Sequence, residues 1–186
     1  MTVKFSRCCP DKTLTLQDSE IKSCKKKFTV KTFKDPDGNK QRFYIDSGKD
    51  AVIIFCLTED EKVVLVKQYR PGPEKVFLEC PGGGLEPGEN LVSAASRELE
   101  EETGYRGNMA YLGSFYFSSY GSNLKHLFVA TGCKKVSSLK LDREEFLETF
   151  LIPLTEYCKL LFLGSIKDVD ISCMALNKIG KLKIDF

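Results

Sequence analysis

From Asn90 to Gly104 the chain reads as one helix whose acidic residues lie on the side that should be apolar. Asn90 suits the N-cap, and Gly104 suits the position just past the last turn. No Pro or Gly interrupts the residues between them. At about 100° per residue, Leu91, Ala94 and Ala95 mark the inward face. Glu98, Glu101 and Glu102 fall on that same stripe, while Ser93, Ser96 and Glu100 point the other way. Like charges at these spacings repel. Burying them raises their pKa values unless a cation compensates. A divalent metal such as Mg²⁺ or Mn²⁺ compensates through carboxylate oxygens, and Mg²⁺ sites commonly share the ion with substrate phosphates.

The loop before the helix is Pro81 followed by Gly82, Gly83 and Gly84. Three successive glycines leave no side chain between backbone and ligand. The run serves either backbone shape alone or the close approach of a pyrophosphate or metal. Arg97 flanks the acidic stripe and suits bidentate orientation of a glutamate. Glu89 lies near the helix start, where a negative charge complements the dipole.

The stretch from Gly83 to Tyr105 resembles the Nudix box, G-x5-E-x7-R-E-U-x-E-E-x-G-U, with U a bulky aliphatic. The pattern falls on Gly83, Glu89, Arg97, Glu98, Leu99, Glu101, Glu102, Gly104 and Tyr105. Only Tyr105 departs, being aromatic, and it keeps the bulk. So many fixed residues over such a span make the signal specific. The resemblance implies an α/β (α+β) Nudix fold, a mixed β-sheet sandwiched between helices. It implies metal-dependent hydrolysis of a nucleoside diphosphate linked to some group X. Glu98, Glu101 and Glu102 would hold Mg²⁺, or Mn²⁺, together with the carbonyl of Gly82. Gly83 would lie against substrate, and Arg97 would serve the catalytic centre. The resemblance also places a carboxylate base downstream of the box. The acidic cluster there is Asp142, Arg143, Glu144 and Glu145, with Glu148 beyond. Glu145 is expected as the base and Glu144 is second. The same cluster also reads as a solvated charge run.

Residues 63–72, VVLVKQYRPG, and 77–83, FLECPGG, resemble the subgroup that hydrolyses ADP-ribose and sugar nucleotides. There the arginine matching Arg70 contacts substrate, although a surface ion pair would also account for it. That subgroup usually carries a proline where Tyr120 stands in Ser119-Tyr120-Gly121. Tyrosine near this position marks the dinucleoside polyphosphate branch, which is the second substrate expectation. Tyr120 would stack on a base or pack a loop. The resemblance further implies a homodimer in which N-terminal strands cross to the partner. A non-catalytic nucleotide-binding module of the same fold is disfavoured, because such modules are expected to lose acids and Arg97, Glu98, Glu101 and Glu102 are all present.

The remaining residues bound the setting. The 186 residues suit one domain over 1–186, with an N-terminal strand region at about 1–46. The net charge of +2 argues neither for nor against a polyanionic partner. Lys25, Lys26 and Lys27 form too short a run for nucleic-acid binding. No apolar stretch is long enough to cross a bilayer, and the N-terminus does not read as a secretory signal. The eight cysteines form no C-x-x-C pair, and His126 is the sole histidine, so no zinc site is expected. Scattered cysteines suggest reduced thiols and a cytoplasmic protein. Cys8 and Cys9 read as ordinary terminal residues, with lipidation or redox chemistry the alternative.

Strands are expected at residues 27–33 and 42–45 around Asp35-Pro36-Asp37-Gly38, and then at 51–57, 62–67, 76–79, 110–117, 126–131 and 146–152. Helices are expected at 154–161 and 168–178.

Overall fold

A computed structural model describes residues 28–140 and 147–182. The chain begins with a hairpin of β1 (Phe28–Lys34) and β2 (Lys40–Asp46), antiparallel from Phe28↔Asp46 to Lys34↔Lys40. Its turn is built as the residues suggest. The Asp35 carboxylate accepts the amides of Asp37 and Asn39, and Gly38 takes a positive φ of 86°.

The main sheet has seven strands. These are β3 (Ala51–Thr58), β4 (Lys62–Arg70), β5 (Lys75–Glu79), β6 (Gly82–Gly84), β7 (Tyr105–Tyr116), β8 (Leu124–Lys135) and β9 (Leu147–Pro153). The order is β5-β4-β3-β8-β7, with β6 pairing β3 and β9 pairing β4. The β3–β8 pair is parallel and the other pairs are antiparallel, so the sheet is mixed.

Helices cover both faces. On one face α1 (Leu91–Thr103) seats Ala94, Ala95 and Leu99 against Val52, Ile54, Cys56, Val64 and Phe128. On the other, α2 (Leu154–Phe162) and α3 (Val169–Lys178) bring Tyr157, Leu161, Ile171, Ala175 and Leu176 onto Phe55, Leu57, Val63, Leu65 and Leu127. Strand β3 therefore sends alternate residues to opposite helices. Burial on both faces explains its unbroken apolar run. Truncating Leu99, which is fully buried between α1 and the sheet, should cost about 2–5 kcal/mol.

Helix α1 ends where its caps demand. The Asn90 side chain accepts the Ser93 amide at 2.9 Å. Gly104 adopts a left-handed φ of 75° and returns its amide to the Glu100 carbonyl. A side chain at Gly104 would also meet the Ser137 carbonyl oxygen at 2.2 Å. The structure departs from the expected elements in two places. Gly82, Gly83 and Gly84 pair with Ile53, Val52 and Ala51 as a short strand rather than forming an open loop. Strand β7 starts at Tyr105, directly after the helix and well before residue 110. Its register shifts at Arg106/Asn108 and Tyr111/Gly113 break the alternation that would reveal it.

Candidate active site

The glycine strand β6 brings the loop against the acidic face of α1. Gly82 cannot carry a Cβ, because that atom would sit 2.2 Å from the Val52 carbonyl oxygen. Its amide donates to Glu102 Oε2 at 2.8 Å. At Gly83 a Cβ would lie 2.5 Å from the carboxyl carbon and both carboxyl oxygens of Glu98. The two glycines therefore let two carboxylates rest directly on the backbone. Glu98 and Glu102 are 7% and 4% exposed, close to fully buried. Glu101 sits at the rim, with 38% of its side chain exposed, so the inward stripe is led by two of the three expected glutamates.

Arg97 gathers the acids. Its Nε and Nη2 donate to the two Glu89 oxygens at 3.0 and 2.9 Å, a bidentate pair. Its Nη1 donates to Glu98 at 2.9 Å and to Glu101 at 3.1 Å, and its Nη2 also reaches the Gly84 carbonyl. The pair with Glu89 above all, then Glu101 and Glu98, holds the guanidinium pKa above its ordinary value. The hydrogen bonds from Arg97 hold the Glu89 carboxyl below its own. The positive charge lying against the stripe in this structure is thus Arg97.

Among the described residues no group of three or more His, Cys, Asp or Glu side chains is arranged to hold a metal ion as it stands. Nη1 of Arg97 spans Glu98 and Glu101, and Glu102 is turned to the Gly82 amide. The donor chemistry nevertheless suits a hard cation. Glu89, Glu98, Glu101 and Glu102 are four carboxylates beside one guanidinium, which leaves three negative charges counted over these five side chains. The cradle at Gly83 keeps the Glu98 oxygens at the loop surface.

A cavity of about 230 Å³ opens beside the glycine strand. Gly82, Gly83 and Gly84 form one wall, and Arg70, Glu79, Phe117, Lys167 and Asp168 contribute to the others. Glu79 is 2% exposed. It accepts Arg70 Nε at 3.0 and 3.2 Å, Arg70 Nη2 at 2.6 Å and Lys167 Nζ at 2.9 Å. Burial alone would raise the Glu79 carboxyl, but Arg70 and then Lys167 bring it below its ordinary value. Asp168 accepts the Cys80 amide at 2.9 Å, and burial raises its pKa.

The other expected site residues lie elsewhere. Tyr120 is 60% exposed and stacks on Phe43 of the hairpin, with ring centroids 6.3 Å apart. The aromatic on the cavity wall is Phe117, which no sequence pattern singles out. Nor does any single out Glu79, Lys167 or Asp168, because their meeting spans 88 residues of chain. Glu144 and Glu145 lie outside the described residues, as do Cys8 and Cys9. His126 lies between Asp50 and Tyr111, within 3.4 Å of each, and does not itself line the cavity.

The chain is similar to known proteins. The model of the NUDIX domain matches residues 48–170. A methanol dehydrogenase activator of Bacillus methanolicus is 40% identical over 124 residues, 65% of this chain and 67% of that protein. An ADP-ribose pyrophosphatase of Bacillus subtilis strain 168 is 33% identical over 129 residues, 68% of this chain and 70% of that one. Among solved structures, the crystal structure of an ADP compounds hydrolase superposes with a TM-score of 0.70 at 23% identity. That superposition covers 90% of this chain and 96% of the other, a likeness of fold.

Proposed function

The chain belongs to the Nudix hydrolase family, and we propose that it hydrolyses the pyrophosphate bond of a nucleoside diphosphate linked to X, with ADP-ribose or another nucleoside diphosphate sugar as substrate. The products are a nucleoside monophosphate and phosphorylated X. The observation that carries this reading is the burial of Glu98 and Glu102 against the Gly82–Gly84 backbone, beside a cavity that Arg70 also lines. The relatives named for ADP-ribose support the choice of substrate.

Nudix hydrolases generally need divalent metal ions. Glu98, Glu101, Glu102 and the Gly82 carbonyl would hold them here, Mg²⁺ first and Mn²⁺ second. Bound ions neutralise the diphosphate and stabilise the oxygen that departs.

The chain's own residues do the rest. Gly83 and Gly84 let the diphosphate approach the backbone without a side chain in between. Arg97 fixes Glu98 and Glu101 in orientation through Nη1 while Glu89 anchors its other edge. Arg70 offers its guanidinium to the diphosphate from the cavity wall. Glu145 takes the proton from the attacking water as the new P–O bond forms and the bridging P–O bond breaks.

The test is a substrate panel with and without Mg²⁺, followed by ³¹P NMR. AMP and ribose 5-phosphate released from ADP-ribose only with metal support the reading. No turnover of any nucleoside diphosphate derivative refutes it. Dinucleoside polyphosphates belong in the same panel, since Tyr120 stands where that branch has tyrosine. Preferred cleavage of these would replace the first substrate with the second.

We further propose a homodimer. A two-stranded ribbon is marginally stable alone, and this one leaves Phe28, Val30 and Tyr44 exposed along one face. Light scattering should report twice the 21.0 kDa chain mass, and a clean monomer overturns the proposal. A cytoplasmic location is supported by Cys56, Cys80 and Cys133, which are buried free thiols. Among the described residues no helix is long and apolar enough to cross a membrane.

A further inference from the structure

Lys167 lies in the connection between α2 and α3, outside the acidic box and far from it in sequence. It nevertheless lines the same cavity as Gly82–Gly84. There it shares a single carboxylate with Arg70. Glu79 takes three contacts of 2.6–3.2 Å from Arg70 and one of 2.9 Å from Lys167. Two cations on one carboxylate leave one positive charge over among these three groups. The neighbouring acid, Asp168, commits an oxygen to the Cys80 amide, and burial disfavours its ionised form.

The two cations are not held alike. Arg70 is locked by Nε and Nη2 together, a planar fork on a planar acid. Lys167 makes one contact on a flexible stem, with 45% of its side chain exposed, and its ammonium has three donors. Removing a buried carboxylate's only partner is costly. If Lys167 turns away, however, Glu79 keeps Arg70. Lys167 is therefore the cation that can exchange a protein carboxylate for a ligand oxygen at little cost.

Resting on the functional reading above, we propose that Lys167 is a substrate-binding residue whose ammonium holds a non-bridging phosphate oxygen of the diphosphate in the cavity it lines together with Gly82–Gly84. It selects for the charge of the diphosphate rather than for the nucleoside.

The experiment compares the unaltered chain with Lys167→Ala and Lys167→Arg, and with Lys167→Gln should the alanine variant be unstable. Three quantities are read, namely kcat and KM on ADP-ribose with Mg²⁺ and the metal-free affinity for α,β-methylene-ADP at two salt concentrations. Removing the charge should raise KM about tenfold and weaken the analogue about as much, because one charge-assisted hydrogen bond is lost. The kcat should stay within about threefold, since the contact is made in ground and transition states alike. The salt dependence of binding should flatten, and Lys167→Arg should restore most of the affinity. A residue that only packed the linker would leave the metal-free affinity and its salt dependence unmoved. Unchanged KM and analogue affinity in the alanine variant, with the parent active, overturn this proposal alone. A parent chain that neither binds nor cleaves any nucleoside diphosphate removes the functional reading and this proposal with it.

Discussion

Gly82 and Gly83 are adjacent, yet replacing each with alanine should do different things. At Gly83 the three atoms nearest the added methyl are the carboxyl carbon and oxygens of Glu98, at 2.5 Å. Ordinary contact begins at 3.4 Å, so the carboxylate must retreat by 3.4 − 2.5 = 0.9 Å. Glu98 can make that move because the obstruction is the end of a flexible side chain, and the backbone at Gly83 does not have the positive φ that would strain alanine. The fold should therefore survive with a melting temperature within a few degrees of the parent, corresponding to less than about 1 kcal/mol. Activity should not survive as well. A misplacement of about 1 Å in a reacting constellation costs on the order of 100-fold, or about 2.7 kcal/mol of barrier. At Gly82 the methyl meets the Val52 carbonyl oxygen at 2.2 Å and the Ile53 Cα at 2.9 Å. Backbone cannot step aside, so Gly82→Ala should lose on the order of 2–4 kcal/mol of stability through strain and a broken β3–β6 pairing. The assay is kcat on ADP-ribose at saturating Mg²⁺, beside thermal denaturation of all three proteins. A Gly83→Ala enzyme with the parent's kcat and metal dependence would refute the link between the glycine cradle and the Glu98 carboxylate.

Other expectations concern the same machinery. Glu102→Gln keeps an acceptor for the Gly82 amide but removes the charge, so kcat should fall about 100-fold or more with the fold intact; full activity by the same assay would exclude Glu102 as a ligand. Gly104→Ala places a side chain at φ 75° and 2.2 Å from the Ser137 carbonyl, and thermal melts should show a loss of about 2 kcal/mol or more, whereas an unchanged midpoint would contradict the capping account. Glu79 has a depressed folded-state pKa, so its contribution to stability is present above its unfolded value near 4.5 and is lost as pH falls through the lower folded value. Denaturant titrations should accordingly show Glu79→Gln less stable than the parent at neutral pH, with the gap closing only below about pH 4.5; a gap that persisted in acid would mean packing rather than charge.

Much of the fold was legible because its signals are local. Asn90 and Gly104 bracket α1 as caps, and the unbroken apolar run of β3 marks a strand buried on both faces. The Asp35–Gly38 turn fixes the hairpin register. Two features escaped for opposite reasons. Strand β6 is three glycines, which have no side chains to alternate, so its pairing with the backbone of Ala51, Val52 and Ile53 defines it. Strand β7 has side chains, but its two register shifts scramble their order. At the site, spacing within one helix puts Arg97, Glu98, Glu101 and Glu102 on neighbouring rows. It does not reveal that Arg97 lies across that row with Glu89 as its main partner. The cavity wall is a matter of topology. Glu79 meets Lys167 only because the connection between α2 and α3 returns to the end of β5, and no pattern in either segment announces that meeting.

Binding of divalent ions by the acidic ridge of α1 is the proposal on which diphosphate cleavage rests. Mn²⁺ can be titrated into the parent and into a Glu98→Gln, Glu102→Gln double variant, with free Mn²⁺ read by electron paramagnetic resonance. The parent should bind saturably, and binding should weaken at least about tenfold in the variant, because two of the carboxylates proposed to hold the ions lose their charge. Equal binding by both proteins would place the metal elsewhere and overturn the proposal.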